Sequence, residues 1–207
     1  MTGTRTLAVV SAGLGQPSST RLLADRLAAA TADALRERGS GVVVEPVELR
    51  DHAHELTDNL LTGFPAAPLR EVIETVTGAD GLIAVTPLFN ASYSGLFKTF
   101  FDVLEKDALE GRPVLAGATG GTARHSLALD HAVRPLLAYL RATVVPTAVY
   151  AASEDWGSAD GSNALAGRVA RAGAELAALI AGGAPAVRAD PYEDPTPFEQ
   201  LLASGGA

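Results

Sequence analysis

The chain has 207 residues, 47% of them hydrophobic, which suits one domain of moderate size with a buried core. Its formal net charge of −8 argues against nucleic acid or an anionic membrane as the main partner. The absence of cysteine excludes disulfides, thiolate chemistry and cysteine–metal sites. With no signal peptide and no apolar run of membrane-spanning length, the sequence predicts a cytoplasmic protein.

Short β-rich runs alternate with longer helical patterns along the chain. The predicted strands cover residues 5–11, 42–49, 80–87, 112–119 and 143–151, and the predicted helices cover 19–39, 69–79, 94–106, 126–142 and 163–182. Pro46 predicts that the second strand lies at a sheet edge, and Pro135 predicts a kink in the fourth helix. Residues 50–68 are interpreted as a polar, irregular excursion, and residues 183–207 as a C-terminal arm or disordered tail.

This βα repeat predicts an α/β fold, because right-handed crossovers carry each helix onto a face of a parallel sheet. Five strands with this rhythm fit a flavodoxin-like three-layer sandwich with strand order 2-1-3-4-5, formed by residues 1–182. Ligands of such folds bind beyond the carboxyl ends of strands 1, 3 and 4. The rule selects three loops, residues 11–20, 86–94 and 119–126.

The first loop has the spacing G-x-G-x-x-S from Gly13 to Ser18, where a dinucleotide fold would have a third glycine. Ser18, Ser19 and Thr20 place three hydroxyls at the start of a helix, where free N–H groups and the helix dipole already favour an anion. This set suits a terminal monophosphate. Two alternatives stay open: Ser18 as a simple N-cap, and a dinucleotide site with Glu48 near the ribose.

The other two loops suit a flat ring. In "TPLFNASYSG", Phe89 offers an aromatic neighbour and Asn90 an amide for the ring edge, although an ordinary capped loop is the alternative. In "TGGTARHS", Gly120 and Gly121 allow the backbone to approach a ligand and to turn N–H groups towards a flavin's pyrimidine side. The alternative is a plain turn capped by Thr122. Together the three loops predict flavin mononucleotide.

The stretches "TPLFNASYSGLFKTFFDVLE" and "EGRPVLAGATGGTARHSLALDHAVRPLLAYLRA" resemble the NAD(P)H-dependent FMN reductases, and most closely the branch that supplies reduced FMN to two-component monooxygenases such as those acting on alkanesulfonates. The resemblance implies a homodimer or homotetramer with FMN and NAD(P)H as cofactors. Many relatives carry G-S-x-R-x-x-S in the first loop, whereas this chain lacks that arginine. Two alternatives stay open: Arg21 or Gln16 compensates, or FMN binds more loosely, which would suit a reductase that releases its flavin. The predicted cofactor-binding residues are Ser11, Gln16, Ser18, Ser19, Thr20, Pro87, Leu88, Phe89, Asn90, Thr119, Gly120, Gly121, Thr122 and His125.

The predicted reaction passes a hydride from nicotinamide C4 to flavin N5, so no catalytic side chain and no metal are required. His52 and His54 resemble a metal pair but have no evident further ligand, and Ser11 lacks the G-x-S-x-G context of a hydrolase nucleophile. His131 is interpreted as a packed or interface residue. Three other functions stay open: a flavodoxin-type electron carrier, a reductase of quinones, azo dyes or metal oxyanions that keeps FMN bound, and a nicotinamide-binding dehydrogenase.

Overall fold

A computed structural model describes residues 3–157 and 159–182 of the chain. The described residues form one mainly parallel sheet between two layers of helices. Its strands are β1 (Thr4–Ser11), β2 (Gly41–Glu48), β3 (Gly81–Phe89), β4 (Ser92–Tyr93), β5 (Pro113–Gly120), β6 (Thr143–Val144) and β7 (Val149–Ala152). The sheet order is β2-β1-β3-β5-β6, with β7 also pairing with β5 and β4 with β3.

The predicted flavodoxin-like order is confirmed, but the sheet has seven strands rather than five. The predicted fifth strand is two short ones, β6 and β7, both parallel to β5. Between them the Arg134 guanidinium donates hydrogen bonds to the carbonyl oxygens of Val145 and Pro146, each at 3.0 Å. In addition, Pro146 has no N–H to donate to a neighbouring strand. The segment therefore cannot pair continuously. The second addition, β4, is a short antiparallel return from the end of β3. The predicted edge position of Pro46 in β2 is confirmed.

The helices connect most of the strands, with two in succession after β2 and two after β7. They are α1 (Ser19–Glu37), α2 (Ala53–Thr62), α3 (Ala67–Gly78), α4 (Gly95–Asp102), α5 (Arg134–Tyr139), α6 (Glu154–Gly157) and α7 (Ala159–Gly182). None of the helices within the described residues is long and apolar enough to cross a membrane. The predicted C-terminal arm, residues 183–207, lies outside the described residues.

The interpretation of residues 50–68 as an irregular excursion is wrong. The segment holds a 3-10 helix (Leu49–His52) and then α2, which ends at Gly63 with a left-handed φ of 79°. Only Leu56 and Asn59 of α2 are buried, and no side chain caps its start. A helix with so few buried residues and no capping side chain lacks both the apolar periodicity and the start signal from which a helix is predicted.

The predicted helix over 126–142 also differs. The chain first makes a short 3-10 helix (Ala123–His125), then a π-helix (Leu129–Val133), which continues into α5. Pro135 lies in the first turn of α5, directly after the π-helix, where the Arg134 N–H still bonds to the Leu129 carbonyl. The proline therefore lies where the π-helical hydrogen-bond pattern changes to the α-helical one, and the predicted kink at Pro135 stays a prediction.

The strands contribute side chains to two hydrophobic cores, one on each face of the sheet. Along β1, Ala8 and Val10 belong to one core, while Leu7 and Val9 belong to the other. The alternation follows from the period of two in a strand. The first core packs against α2 to α5, and the second packs against α1 and α7. All three predicted site loops leave this rigid sheet at its carboxyl edge.

Candidate functional site

The three predicted loops meet around one cavity of about 360 Å³ at the carboxyl edge of the sheet. Residues from each loop form its wall. They are Leu14, Gly15, Pro17, Ser18, Ser19, Thr20, Pro87, Leu88, Phe89, Thr119, Gly120 and Gly121, joined by Ser153 and Trp156.

The hydroxyls at the start of α1 form one end of the cavity. Ser18 is the N-cap: its Oγ accepts a hydrogen bond from the Arg21 backbone N–H at 3.2 Å. Capping uses Ser18 as an acceptor, so its own O–H stays available to donate. Ser19 is exposed, and the first N–H groups of the helix have no intrahelical acceptor. Capping and anion binding are therefore compatible here, and α1 has no acidic residue in its first turn.

Thr20 ties the first loop to the third. Its Oγ1 lies 2.8 Å from Thr119 Oγ1, in a buried hydrogen bond between residues 99 positions apart in the chain. Ser11, at the end of β1, is also buried, and its hydroxyl has no hydrogen-bond partner within the described residues. A buried hydroxyl without a partner costs about 1–3 kcal/mol. The Ser11 hydroxyl directly precedes the first loop, and an unpaired buried hydroxyl at this point is consistent with a hydrogen bond to a ligand of that loop.

Arg21 forms ion pairs with two carboxylates near the start of α1. It binds Asp25 Oδ1 at 2.6 Å through Nε and Glu48 Oε1 at 2.7 Å through Nη1. The hydrogen bond to Glu48, and next that to Asp25, raise the pKa of Arg21, so the guanidinium stays charged. Both carboxylates are thereby compensated and repel a bound anion less. Because Glu48 is engaged in this way, the structure gives no support to a ribose-binding role for it.

The second loop places an aromatic side chain at the cavity. Phe89 lines it and is 47% exposed. Asn90 and Ala91 form the tight turn between β3 and β4, with φ of 51° and 68°. Behind the turn the buried Thr86 Oγ1 accepts from the Ser94 backbone N–H at 3.0 Å. The loop therefore has a fixed base below an accessible ring.

The third loop supplies an open backbone. A Cβ added at Gly121 would meet nothing within 4 Å, whereas one added at Gly120 would lie 2.2 Å from the Tyr150 hydroxyl. That hydroxyl donates to the Thr122 carbonyl at 2.9 Å and fixes the loop from β7. Burial, and secondarily the nearby Asp155, raise the pKa of Tyr150. The phenol therefore keeps the proton that it donates.

Five of the predicted residues do not line the cavity. Ser11 lies behind the first loop, Gln16 faces Arg50, and Asn90 lies in the turn after β3. Thr122 caps the 3-10 helix that follows it, through a 3.4 Å hydrogen bond from the Arg124 N–H, and His125 is exposed in that helix. Their predicted contacts with a cofactor stay predictions.

Two residues of the cavity wall, Ser153 and Trp156, are not among the predicted site residues. Both follow β7, the last parallel strand, and so lie at the same carboxyl edge as the other loops. The edge rule would have found them had it been applied to every strand instead of strands 1, 3 and 4. Arg26 of α1 stacks over Trp156, with its Cζ 4.8 Å from the ring centroid.

The histidines predicted to be a solvated pair have ordinary surroundings. His52 Nδ1 lies 2.8 Å from Glu55 Oε2 on the neighbouring turn. Over the described ranges, no group of three or more His, Asp or Glu side chains is arranged to hold a metal ion. What the cavity offers instead is hydroxyl and N–H donors at one end and an aromatic side chain with an open glycine backbone at the other. This arrangement suits an anionic group carrying a flat ring.

Comparisons with known proteins agree with this chemistry. A family model described as NADPH-dependent FMN reductase matches residues 5–157. The chain is 37% identical over 186 residues to an NADPH-dependent FMN reductase of Pseudomonas aeruginosa, covering 88% of this chain and 96% of that protein. It is 35% identical over 182 residues to an NADH-dependent FMN reductase of Pseudomonas putida, covering 86% and 94%.

A solved structure extends the likeness to three dimensions. The chain is similar to an oxidoreductase of Corynebacterium diphtheriae, with a TM-score of 0.84 and 48% sequence identity. The match covers 87% of this chain and 99% of that one. The residues matched by the family model, 5–157, include all three loops and the whole cavity wall.

Proposed function

The chain belongs to the family of NADPH-dependent FMN reductases, and we propose that its flavin lies in the cavity where the three loops meet. As a member of this family it is an NAD(P)H-dependent FMN reductase that oxidises a nicotinamide nucleotide and reduces FMN. The observation that carries the proposed site is the convergence of Ser18–Thr20, Phe89 and Gly120–Gly121 on one cavity.

The start of α1 is proposed to hold the FMN phosphate. Ser18 and Ser19 donate through their hydroxyls, and the first N–H groups of the helix add a favourable dipole. Thr20 positions this end against the third loop through Thr119. Ser11 does not line the cavity, but its buried hydroxyl has no partner among the described residues, so its contact with the same end of the flavin stays a prediction.

The other two loops are proposed to hold the ring. Phe89 and Leu88 supply apolar contact, while the backbone at Gly120 and Gly121 presents N–H groups to the ring edge. When bound, the flavin supplies the hydride acceptor, and the nicotinamide supplies the donor. The protein's part is to orient both rings and to place fixed dipoles where negative charge develops, because no acid–base side chain is needed at the cavity.

The finer parts of the function are also proposals. Delivery of reduced FMN to a flavin-dependent monooxygenase, through a transient contact, is supported by the open cavity and by the motif resemblance. A homodimer or homotetramer is supported by three exposed apolar side chains at the end of α2, with Leu61 and Phe64 each 81% exposed and Leu60 50% exposed. A cytoplasmic location is supported by the need for reduced nicotinamide as a substrate.

An anaerobic titration tests the reaction. The purified chain is mixed with NADH or NADPH, with and without FMN, while the flavin absorbance is followed. Bleaching that needs both protein and nucleotide, followed by turnover on readmission of oxygen, is the expected result. A single stoichiometric reduction without turnover would indicate an electron carrier, and nucleotide binding without any flavin requirement would indicate a dehydrogenase. Retention of FMN after dilution would point to a reductase that keeps its flavin.

The Ser19→Ala variant tests the site. Loss of one charge-assisted hydrogen bond is expected to weaken FMN binding about tenfold or more, measured by calorimetry, and to leave riboflavin binding unchanged because riboflavin has no phosphate. Ser40→Ala is the matched control, since Ser40 lies beyond the opposite end of α1. Equal effects of Ser19→Ala on FMN and riboflavin would contradict the phosphate assignment.

A further inference from the structure

The first loop is held by an arginine from a distant part of the chain. Arg50 lies in the 3-10 helix after β2, and its Nη1 donates to the Gly15 carbonyl oxygen at 3.4 Å. The Gln16 side chain lies against the same guanidinium, and with its amide turned so that the oxygen faces Arg50, that oxygen lies 2.9 Å from Nη1 and can accept from it. One side chain thus fixes two consecutive residues of the loop, one through its backbone and one through its amide.

Arg50 is also the cation that the fold adds to this loop. Residues 11–20 contain no charged side chain. Arg21, the nearest arginine in sequence, is occupied by Asp25 and Glu48. Arg50 has Asp51 Oδ1 at 3.4 Å, but the Asp51 side chain is 63% exposed, so its charge is largely screened by water. The guanidinium therefore keeps part of its positive potential beside the loop.

The contact reaches the cavity through Gly15. Gly15 lines the cavity, whereas Arg50 and Gln16 do not. A Cβ added at Gly15 would lie 3.3 Å from the Pro17 carbonyl oxygen, so the loop is tightly folded at this point. The hydrogen bond from Arg50 to the Gly15 carbonyl therefore favours one orientation of the peptide that leads towards Ser18.

We propose that Arg50 is a positioning residue for the phosphate end of the flavin site, acting through Gly15 and Gln16 and not by touching the ligand. The inference rests on the proposed function, because it takes the start of α1 as the phosphate site. Its consequence is selective: removing Arg50 weakens recognition of the phosphate-bearing flavin and spares the ring contacts made by the other two loops. FMN and riboflavin, which differ only by the phosphate, separate these two contributions.

The test compares Arg50→Met, Arg50→Lys and a matched control. Methionine keeps the apolar stem and removes the donors and the charge, while lysine keeps the charge but not the forked donor geometry. Arg36→Met is the control, because Arg36 is 59% exposed and pairs with Asp33 on its own helix. Dissociation constants for FMN and riboflavin are measured by calorimetry, and kcat is measured at saturating FMN.

Arg50→Met is expected to raise the FMN dissociation constant about tenfold, because the loop that carries the phosphate donors loses its hydrogen bonds to Arg50, while riboflavin binding and kcat stay unchanged. Arg50→Lys is expected to recover only part of the loss, and Arg36→Met is expected to match the wild type. Gln16→Leu, which removes the acceptor and leaves the arginine in place, is expected to act in the same direction. The double variant Arg50→Met/Gln16→Leu should be no worse than Arg50→Met alone.

Equal losses for FMN and riboflavin in Arg50→Met would overturn the inference, because they would show a general structural support. Unchanged FMN binding would overturn it as well. Failure of the proposed function gives a different pattern: the wild type itself would not prefer FMN over riboflavin, and Ser19→Ala would have no effect. If Arg50→Met does not fold, Gln16→Leu decides the question through the same ratio of FMN to riboflavin binding.

Discussion

The contact between α1 and α7 makes a sharp prediction about Gly173. A Cβ at this buried position would lie 2.9 Å from three atoms of α1: the carbonyl carbon and Cβ of Ala30, and the backbone nitrogen of Thr31. Two of these are backbone atoms, so no side-chain rotation relieves the overlap. Overpacking of this kind costs about 3 kcal/mol, from which the better helix propensity of alanine removes about 1 kcal/mol. We expect Gly173→Ala to destabilise the fold by about 2 kcal/mol.

Gly167→Ala is the matched control, since Gly167 lies in the same helix and a Cβ there meets nothing within 4 Å. This variant is expected to stabilise the protein by about 1 kcal/mol through helix propensity alone. Urea unfolding followed by circular dichroism measures both free energies. For a chain of this size Tm should fall by about 4–8 °C in Gly173→Ala and rise by about 2–4 °C in Gly167→Ala.

The refuting result is a Gly173→Ala protein that is as stable as Gly167→Ala. It would mean that α1 and α7 do not approach as closely as the structure has them. Since α1 begins at the proposed phosphate site, Gly173→Ala should also weaken FMN binding, whereas Gly167→Ala should leave it unchanged.

Two further predictions concern the second and third loops. Ala91 has a left-handed φ of 68°, so Ala91→Gly should stabilise the protein by about 1 kcal/mol in urea unfolding, and a loss of stability would contradict a turn in this conformation. Because the folded pKa of Tyr150 is raised, the unfolded phenol ionises first as pH rises, and stability should fall above the ordinary tyrosine pKa. Tyr150→Phe should remove that part of the pH dependence in alkaline urea unfolding, and an unaltered profile would show that Tyr150 does not cause it.

Much of the fold could be read from the sequence because local patterns and tertiary packing agree there. The strand β3 is apolar throughout and lies centrally, and Pro46 marks an edge strand because only an edge tolerates its missing N–H. The pattern failed where long-range contacts decide the backbone. In 143–151 the carbonyls of Val145 and Pro146 bind Arg134, which lies outside the segment, so only Pro146 is a local signal of the interruption.

The candidate site divides in the same way. The loops of Ser18, Phe89 and Gly120 were predictable, because glycines and hydroxyls directly after parallel strands carry a strong positional meaning. Arg50 was not, because it reaches the first loop across 35 residues of sequence and only the folded chain brings it to Gly15. Arg21 is adjacent to the loop in sequence, but its guanidinium binds Asp25 and Glu48, so its predicted compensation for the absent loop arginine stays a prediction.

Trp156 gives the molecule a built-in optical reporter. It is the single tryptophan of the chain, and it stands in the cavity wall beneath the guanidinium of Arg26. All tryptophan fluorescence therefore comes from this side chain, and a flavin bound in the cavity would quench it by resonance energy transfer. Occupancy of the cavity can thus be followed in real time without dyes, labels or engineered chromophores.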